Sequence, residues 1–194
     1  MGLVSGTGVT AGEPAYASRG GIKLAAALDA FGVDPAGMAC VDLGCSVGGF
    51  TDCLLQRGAA RVFAVDTQYG QLAWKLRQDE RVVVMERTNA VHADPPSDAV
   101  DACDLAVIDL GWTKLGKAVP AALRWLSSDG AIVALVKPHY ESGEHRLDDA
   151  EGHRISRAAA EAVAAEHGLS LDGLIDAPIR GSKGGNLEQL AWLR

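Results

Sequence analysis

No apolar run in the chain approaches the ~18 residues that a helix needs to span a bilayer. The N-terminus, "MGLVSGTGVTAGEP", has neither a basic n-region nor an apolar h-region. A cytoplasmic protein without membrane association is expected. Cysteine is scarce: Cys40, Cys45, Cys53 and Cys103 show no C-x-x-C spacing, and three of them fall in or beside apolar segments. Buried reduced thiols are the expectation. The five histidines form no H-x-x-x-H or H-E-x-x-H pair, so no protein-built metal site is expected. Positive charge is also short. A formal net charge of -7 argues against a protein whose whole surface grips nucleic acid, because phosphate affinity comes from clustered Lys and Arg. A local basic face stays open, since cations gather in three segments: Arg19 with Lys23, Lys75 to Arg87, and Arg180, Lys183 and Arg194.

What is present is apolar and patterned. A chain of 194 residues, 48% hydrophobic, is long enough for one domain with a buried core. Near-continuous runs of Val, Ile, Leu and Ala recur as "ACVDLG", "RVFAVD", "RVVVME", "DLAVIDL" and "AIVALVK", then "LSLDGLIDAPI" and "LEQLAWLR". Such runs suit strands covered on both faces. Between them, Phe50 to Arg57, Gln71 to Gln78, Lys117 to Leu126 and Gly152 to His167 have helical spacing or composition. Alternating β and α predicts an α/β fold, an open and mainly parallel sheet of seven strands with helices on both faces. Only "RGSKGGN" separates the last two strands, which predicts antiparallel pairing at one edge. Residues 1–15, rich in Gly, Thr and Ser, are expected to be poorly ordered, ahead of a domain covering 16–194.

The turn after the first strand reads Asp42-Leu43-Gly44-Cys45-Ser46-Val47-Gly48-Gly49. A P-loop needs G-K-[ST] after its glycines, and Phe50 and Thr51 stand there instead. A dinucleotide fingerprint needs glycine where Ser46 stands, so that cofactor is disfavoured. Asp42 before the turn and Asp66 at the end of the second strand suit a cofactor with an ammonium and a ribose diol but no phosphate. S-adenosylmethionine has those groups. A glycine-rich turn alone is weak evidence, because tight turns use glycine for steric reasons. Near the third strand's end, Asn89 is the residue chosen to face the adenine. Trp74, at helical spacing from Gly70 and Gln78, is read as core.

The segments "YASRGGIKL", "VDLGCSVGGFTDCLLQRGAARVFAVDTQYGQLAWKLRQDERVVVMERTN", "AVIDL", "ALVKPHYE" and "GNLEQLAWLR" together resemble the TlyA (haemolysin A-type) RNA 2'-O-methyltransferases, a branch of the FtsJ/RrmJ superfamily. The resemblance runs from Tyr16 to Arg194. It implies a Rossmann-like methyltransferase fold, S-adenosylmethionine as cofactor and methyl transfer to a ribose 2'-hydroxyl of ribosomal RNA. The cofactor would be held by Asp42, Gly44, Ser46, Gly48, Gly49, Asp66 and Asn89. The superfamily's Lys-Asp-Lys-Glu tetrad falls on Lys23 of "RGGIKL", Asp109 of "VIDL", Lys137 of "LVKP" and Glu188 of "NLEQL". Lys137 is expected as base or alkoxide stabiliser, Asp109 as its orienter, and Lys23 and Glu188 as supports. Tyr140 would line the acceptor groove, with Arg19, Arg180 and Lys183 as phosphate contacts. Each residue alone also has a structural reading: a lysine leaving a strand end for water, a solvated helix face, a strand-end cap, an edge-strand gatekeeper.

Two features depart from the family. Fewer than twenty residues precede the match where the family carries an S4-type RNA-binding domain, so a partner protein supplying RNA binding is an open expectation. After Asp109 the chain has Leu110, Gly111 and Trp112 where the family shows a Val-Ser-Phe-like sequence, which bears on acceptor choice. A methyltransferase acting on a non-RNA hydroxyl and a non-catalytic RNA- or ribosome-binding protein remain alternatives. A dehydrogenase is the weakest rival. No amphipathic cationic helix supports a membrane-lytic role.

Overall fold

The computed structural model describes residues 15–181 and 185–194. The expectations for residues 1–14 and for Lys183 lie outside the described residues. In chain order the elements are α1 (Gly20–Phe31), β1 (Ala39–Leu43), α2 (Gly49–Gln56), β2 (Arg61–Val65), α3 (Trp74–Arg77), β3 (Val82–Met85), β4 (Cys103–Ile108), α4 (Leu115–Leu123), β5 (Leu126–Val136), α5 (Pro138–Ser142), α6 (Asp149–His167), β6 (Leu171–Asp176) and β7 (Gln189–Leu193). The strands form one sheet of seven, ordered β3-β2-β1-β4-β5-β7-β6. From β3 to β5 every pairing is parallel, while β7 runs antiparallel to both neighbours. The sequence pattern thus marks the correct edge. The reversed strand inserts between β5 and β6, however, because the short β6–β7 connection turns the chain back into the open side of β5.

Period-two alternation explains why the central strands read as unbroken apolar runs. Val41, Leu43, Phe63 and Ile108 point to one face, where Leu115, Val119 and Trp125 join Ala160 and Val163 of α6. Cys40, Val62, Leu105 and Val107 point to the other, under Leu24 and Leu28 of α1, Phe50 and Leu54 of α2, and Leu72 and Leu76. All four cysteines are free and buried. Burial pushes every thiol upward, that of Cys53 to about 11.

Two helices differ from expectation. The stretch from Gln71 to Gln78 yields only one helical turn, because Leu72 and Leu76 suffice to seal the sheet there. Trp74 is 73% exposed, which corrects its reading as core. Past β5, the unforeseen α5 starts with Pro138 at its first position, where the missing N–H costs nothing. Glu141 fixes α5 by accepting from the Leu115 N–H at 2.8 Å, capping α4.

The strand order reverses between β1 and β4, with Leu43 beside Ile108 in register. In open α/β sheets ligands bind beyond the carboxyl ends at that reversal. The residues immediately past those ends are Gly44 and Asp109.

Candidate active site

The glycine-rich turn is shaped almost wholly by backbone. Gly44 and Gly48 sit at φ 95° and 100°, and Ser46 takes the left-handed region at 48°. A Cβ on Gly44 would stand 2.5 Å from the Asp109 carbonyl oxygen, and one on Gly48 would run into Leu72 and Leu76. Glycine at these two positions therefore lets the turn lie on β4 and on the Leu72–Leu76 segment. The Gly44 and Cys45 N–H groups donate to the Val65 carbonyl at 2.9 and 3.1 Å, and Ala73 N–H donates to the Val47 carbonyl at 3.0 Å.

Both expected acidic residues serve this turn. Asp42 is fully buried, and its Oδ2 accepts from the Thr51 N–H and hydroxyl at 2.9 and 2.7 Å. Its Oδ1 has no partner among the described residues. Burial pushes the Asp42 carboxyl up to about 7, opposed by the Thr51 bonds and assisted by the charges of Asp109 and Asp66. Asp42, expected to hold the cofactor, is sealed from solvent and braces the start of α2. Asp66 ties the turn from the side, since its two oxygens accept from the Ser46 and Gln68 N–H groups, each at 2.8 Å.

The four tetrad residues resolve into two ion pairs. Lys137 Nζ donates to Asp109 Oδ1 at 2.5 Å and to the Leu110 carbonyl at 3.3 Å. Lys23 pairs with Glu188, joining α1 to the residue before β7. Glu188 thus holds Lys23, leaving Lys137 to Asp109. A cleft of about 360 Å³ is lined by the turn from Gly44 to Val47, by Gly49, and by Lys23, Asp109, Arg19 and Arg180. A second, of about 620 Å³, is lined by all four tetrad residues together with Gln68, Trp112, His139 and Tyr140. Lys23 and Asp109 wall both clefts.

The larger cleft has an aromatic floor. Trp112, 78% exposed and at φ 57°, stacks on Tyr140 with centroids 4.6 Å apart and planes 26° from parallel. The Lys137 ammonium lies 5.5 Å from the centre of the Tyr140 ring. Sequence reasoning missed His139 and Gln68. His139 enters the cleft because it lies in the first turn of α5, directly after the Lys137–Pro138 strand end. Its imidazole is held below the ordinary range by burial, with Glu188 opposing and Lys137 adding to the effect.

The remaining expected residues are distributed differently. Arg19 and Arg180 stand beside the glycine-rich turn, on the smaller cleft. Arg19 donates to the Arg180 carbonyl at 3.1 Å, and the Arg180 fork grips Asp149 at 2.7 and 2.6 Å. Asn89 lines neither cleft; its Oδ1 accepts from the Val91 N–H at 3.0 Å, closing a turn. Among the described residues no helix is long and apolar enough to cross a membrane.

A parallel sheet with one reversed strand, a glycine-rich first turn and lysine–carboxylate pairs over the switch point defines the methyltransferase class of Rossmann-like folds. The family model of FtsJ-like methyltransferases matches residues 16–165. The chain belongs to that family. It is similar to the 16S/23S rRNA (cytidine-2'-O)-methyltransferase TlyA of Mycobacterium tuberculosis, 44% identical over 97% of this chain and 72% of the relative. A solved structure described as a hemolysin from Lactococcus lactis is 38% identical, with a TM-score of 0.84 over 92% of this chain and 88% of that one. The fold is shared with an S-adenosylmethionine dependent methyltransferase from Mesorhizobium loti, at TM-score 0.64 and 16% identity over 87% of this chain and 96% of that one.

Proposed function

We propose that the chain, acting in the cytoplasm through a domain spanning residues 16–194, transfers the methyl group of S-adenosylmethionine to a ribose 2'-hydroxyl of ribosomal RNA. One observation carries this reading: Lys23 and Asp109 wall both clefts, so ligands in the two spaces meet at the lysine–carboxylate pairs. The smaller cleft fits the cofactor in size, lying within the roughly 300–1,000 Å³ typical of small-molecule sites. It fits in chemistry too. Where a phosphate-binding loop carries lysine, this turn has the buried Phe50, and a carboxylate, Asp66, stands at its side.

S-adenosylmethionine supplies an electrophilic methyl on a sulfonium. The turn from Gly44 to Gly49 and Asp66 would hold it, with Asp42 bracing the turn from within. A 2'-hydroxyl is a poor nucleophile, so its oxygen must be positioned and its developing charge stabilised. Lys137, on the acceptor cleft beside the partly exposed Asp109, accepts the hydroxyl proton as an amine or stabilises the alkoxide as an ammonium. Asp109 fixes its direction. Glu188 and Lys23 hold α1 and the approach to β7 together behind them. The Trp112–Tyr140 stack offers the acceptor base a flat apolar face. The similarity to TlyA favours ribosomal RNA as acceptor.

The test is transfer of labelled methyl to isolated ribosomal subunits and naked ribosomal RNA, with Lys137→Ala as control. Label in alkali-resistant dinucleotides, absent with the variant, is the expected result. Intact cofactor binding with no label in any RNA would assign the protein to a different hydroxyl acceptor.

A further inference from the structure

We propose that the rim formed by Tyr69, Trp74 and Arg87 is a second contact surface, for single-stranded RNA flanking the acceptor nucleotide. The inference rests on the RNA reading above and adds a site to it. Tyr69 is 68% exposed and Trp74 is 73% exposed, on one segment between β2 and β3. Core packing does not require that exposure. The segment seals the sheet with Leu72 and Leu76, which are buried under the glycine-rich turn, and leaves its two largest aromatic faces in water.

The rim is held firmly. Gly70 N–H donates to Glu86 Oε1 at 2.8 Å, Arg77 pairs with the same carboxylate, and Arg87 N–H donates to the Gln68 carbonyl at 3.3 Å. Arg87 adopts φ 53°, and its guanidinium lies 4.4 Å from the centre of the Tyr69 ring. No carboxylate pairs with Arg87 among the described residues. A fixed, unpaired cation over an exposed ring, with a second exposed ring five residues on, is the combination by which proteins hold single strands. The rings stack on bases of any identity while the cation meets phosphate. Gln68, which takes the Arg87 bond, lines the cleft that holds the tetrad. A strand entering that cleft therefore has the rim as its neighbour. Protein interfaces also favour Tyr, Trp and Arg, but continuity with the acceptor cleft favours RNA.

The experiment uses the full chain, Tyr69→Ala/Trp74→Ala, Trp74→Leu and Arg87→Gln, with a fluorescein-labelled single-stranded RNA of about 12 nucleotides, within the span of one such platform. Anisotropy gives RNA affinity at several salt concentrations, calorimetry gives S-adenosylmethionine affinity, and methyl transfer to RNA gives KM and kcat. The double variant is expected to bind RNA at least tenfold more weakly and to raise KM while keeping kcat and cofactor affinity. Trp74→Leu, which keeps apolar bulk, should show part of that loss, and Arg87→Gln should lower the salt slope by about one. Unchanged RNA affinity and KM in the double variant, beside a wild type that binds and methylates RNA, would overturn the rim and leave the RNA reading standing. So would an equal loss of cofactor affinity, or a loss seen with intact subunits and not with naked RNA, which would give the rim to a protein. A wild type that neither binds nor methylates RNA would instead remove the RNA reading, and the rim with it.

Discussion

The two lysine–carboxylate pairs at the head of the sheet are made of the same groups and sit in different surroundings. Side-chain exposures are 10% and 7% for Lys23 and Glu188, and 12% and 28% for Lys137 and Asp109. The first pair, at the cleft walls, is almost fully buried in both members and links residues 165 positions apart. The second joins the tops of adjacent strands and leaves its carboxylate partly open to the acceptor cleft. A closed pair cannot change partners without leaving a buried charge, whereas an open one can exchange a hydrogen bond with substrate. In the function proposed above, that difference makes the first pair a strap and the second the reacting group, although spacing along the chain treats the four residues alike.

The sharpest way to break that distinction is to remove one member of each pair. Lys137→Ala should lower methyl transfer by about 10³-fold, within the range of a positioned base or charge stabiliser. Cofactor affinity should hold, and stability should fall by about 1 kcal/mol, since Asp109 keeps access to water. Single-turnover transfer and urea unfolding read both quantities. Glu188→Ala should do the reverse in emphasis, costing about 3–5 kcal/mol of stability by stranding the buried Lys23 ammonium. The double change Lys23→Met/Glu188→Leu should recover most of that stability without recovering full transfer. If Lys137→Ala unfolds the protein as readily as Glu188→Ala does, the two pairs are not different in kind.

A third carboxylate extends the comparison, because Asp42 is buried with no cation paired to it among the described residues. Its carboxyl is raised to about 7 from an ordinary 3.8, so the folded protein holds this proton more tightly than the unfolded chain. The sign follows. The penalty for ionising Asp42 is absent below the unfolded value, grows as pH rises from about 4 through about 7, and is constant above. Asp42→Asn removes it, and should therefore gain stability relative to the parent on going from pH 5 to pH 8, on the order of 2 kcal/mol. Unfolding curves at the two pH values, compared as differences, measure this. A difference that does not change with pH would mean that Asp42 is ionised and compensated by groups beyond Thr51.

The seven strands were legible because a sheet covered on both faces imposes short apolar runs, and their length and β-branched content set them apart from buried helix. The tetrad was legible only through resemblance; nothing in spacing says that Lys23 answers Glu188 or that Asp42 faces inward. Asp42 and Asp66 flank the same turn and share one side of the pleat; Asp42 is sealed because it lies within β1, whereas Asp66 lies one residue past the end of β2. Trp74 was misread for a related reason. Helical spacing fixes that one face is apolar, but Leu72 and Leu76 compete for that face and take it. His139 stayed hidden because α5 is a five-residue helix with no periodicity to show.

The smallest expected effect tests whether closed and open describe backbone as well as side chains. Gly48 lies at φ 100° with Leu72 and Leu76 against the place a Cβ would occupy, whereas Gly111, on the wall of the acceptor cleft, would meet nothing within 4 Å. Gly48→Ala should cost about 1–2 kcal/mol from the left-handed backbone alone, and more if the leucines cannot yield. Since the same turn forms the cofactor cleft, S-adenosylmethionine affinity should fall with it. Gly111→Ala should change stability by no more than about 0.5 kcal/mol, because the added methyl fills open space and restricts the unfolded chain. Paired thermal melts and calorimetric titrations distinguish the two. Equal losses would mean that the acceptor wall is as tightly built as the cofactor turn.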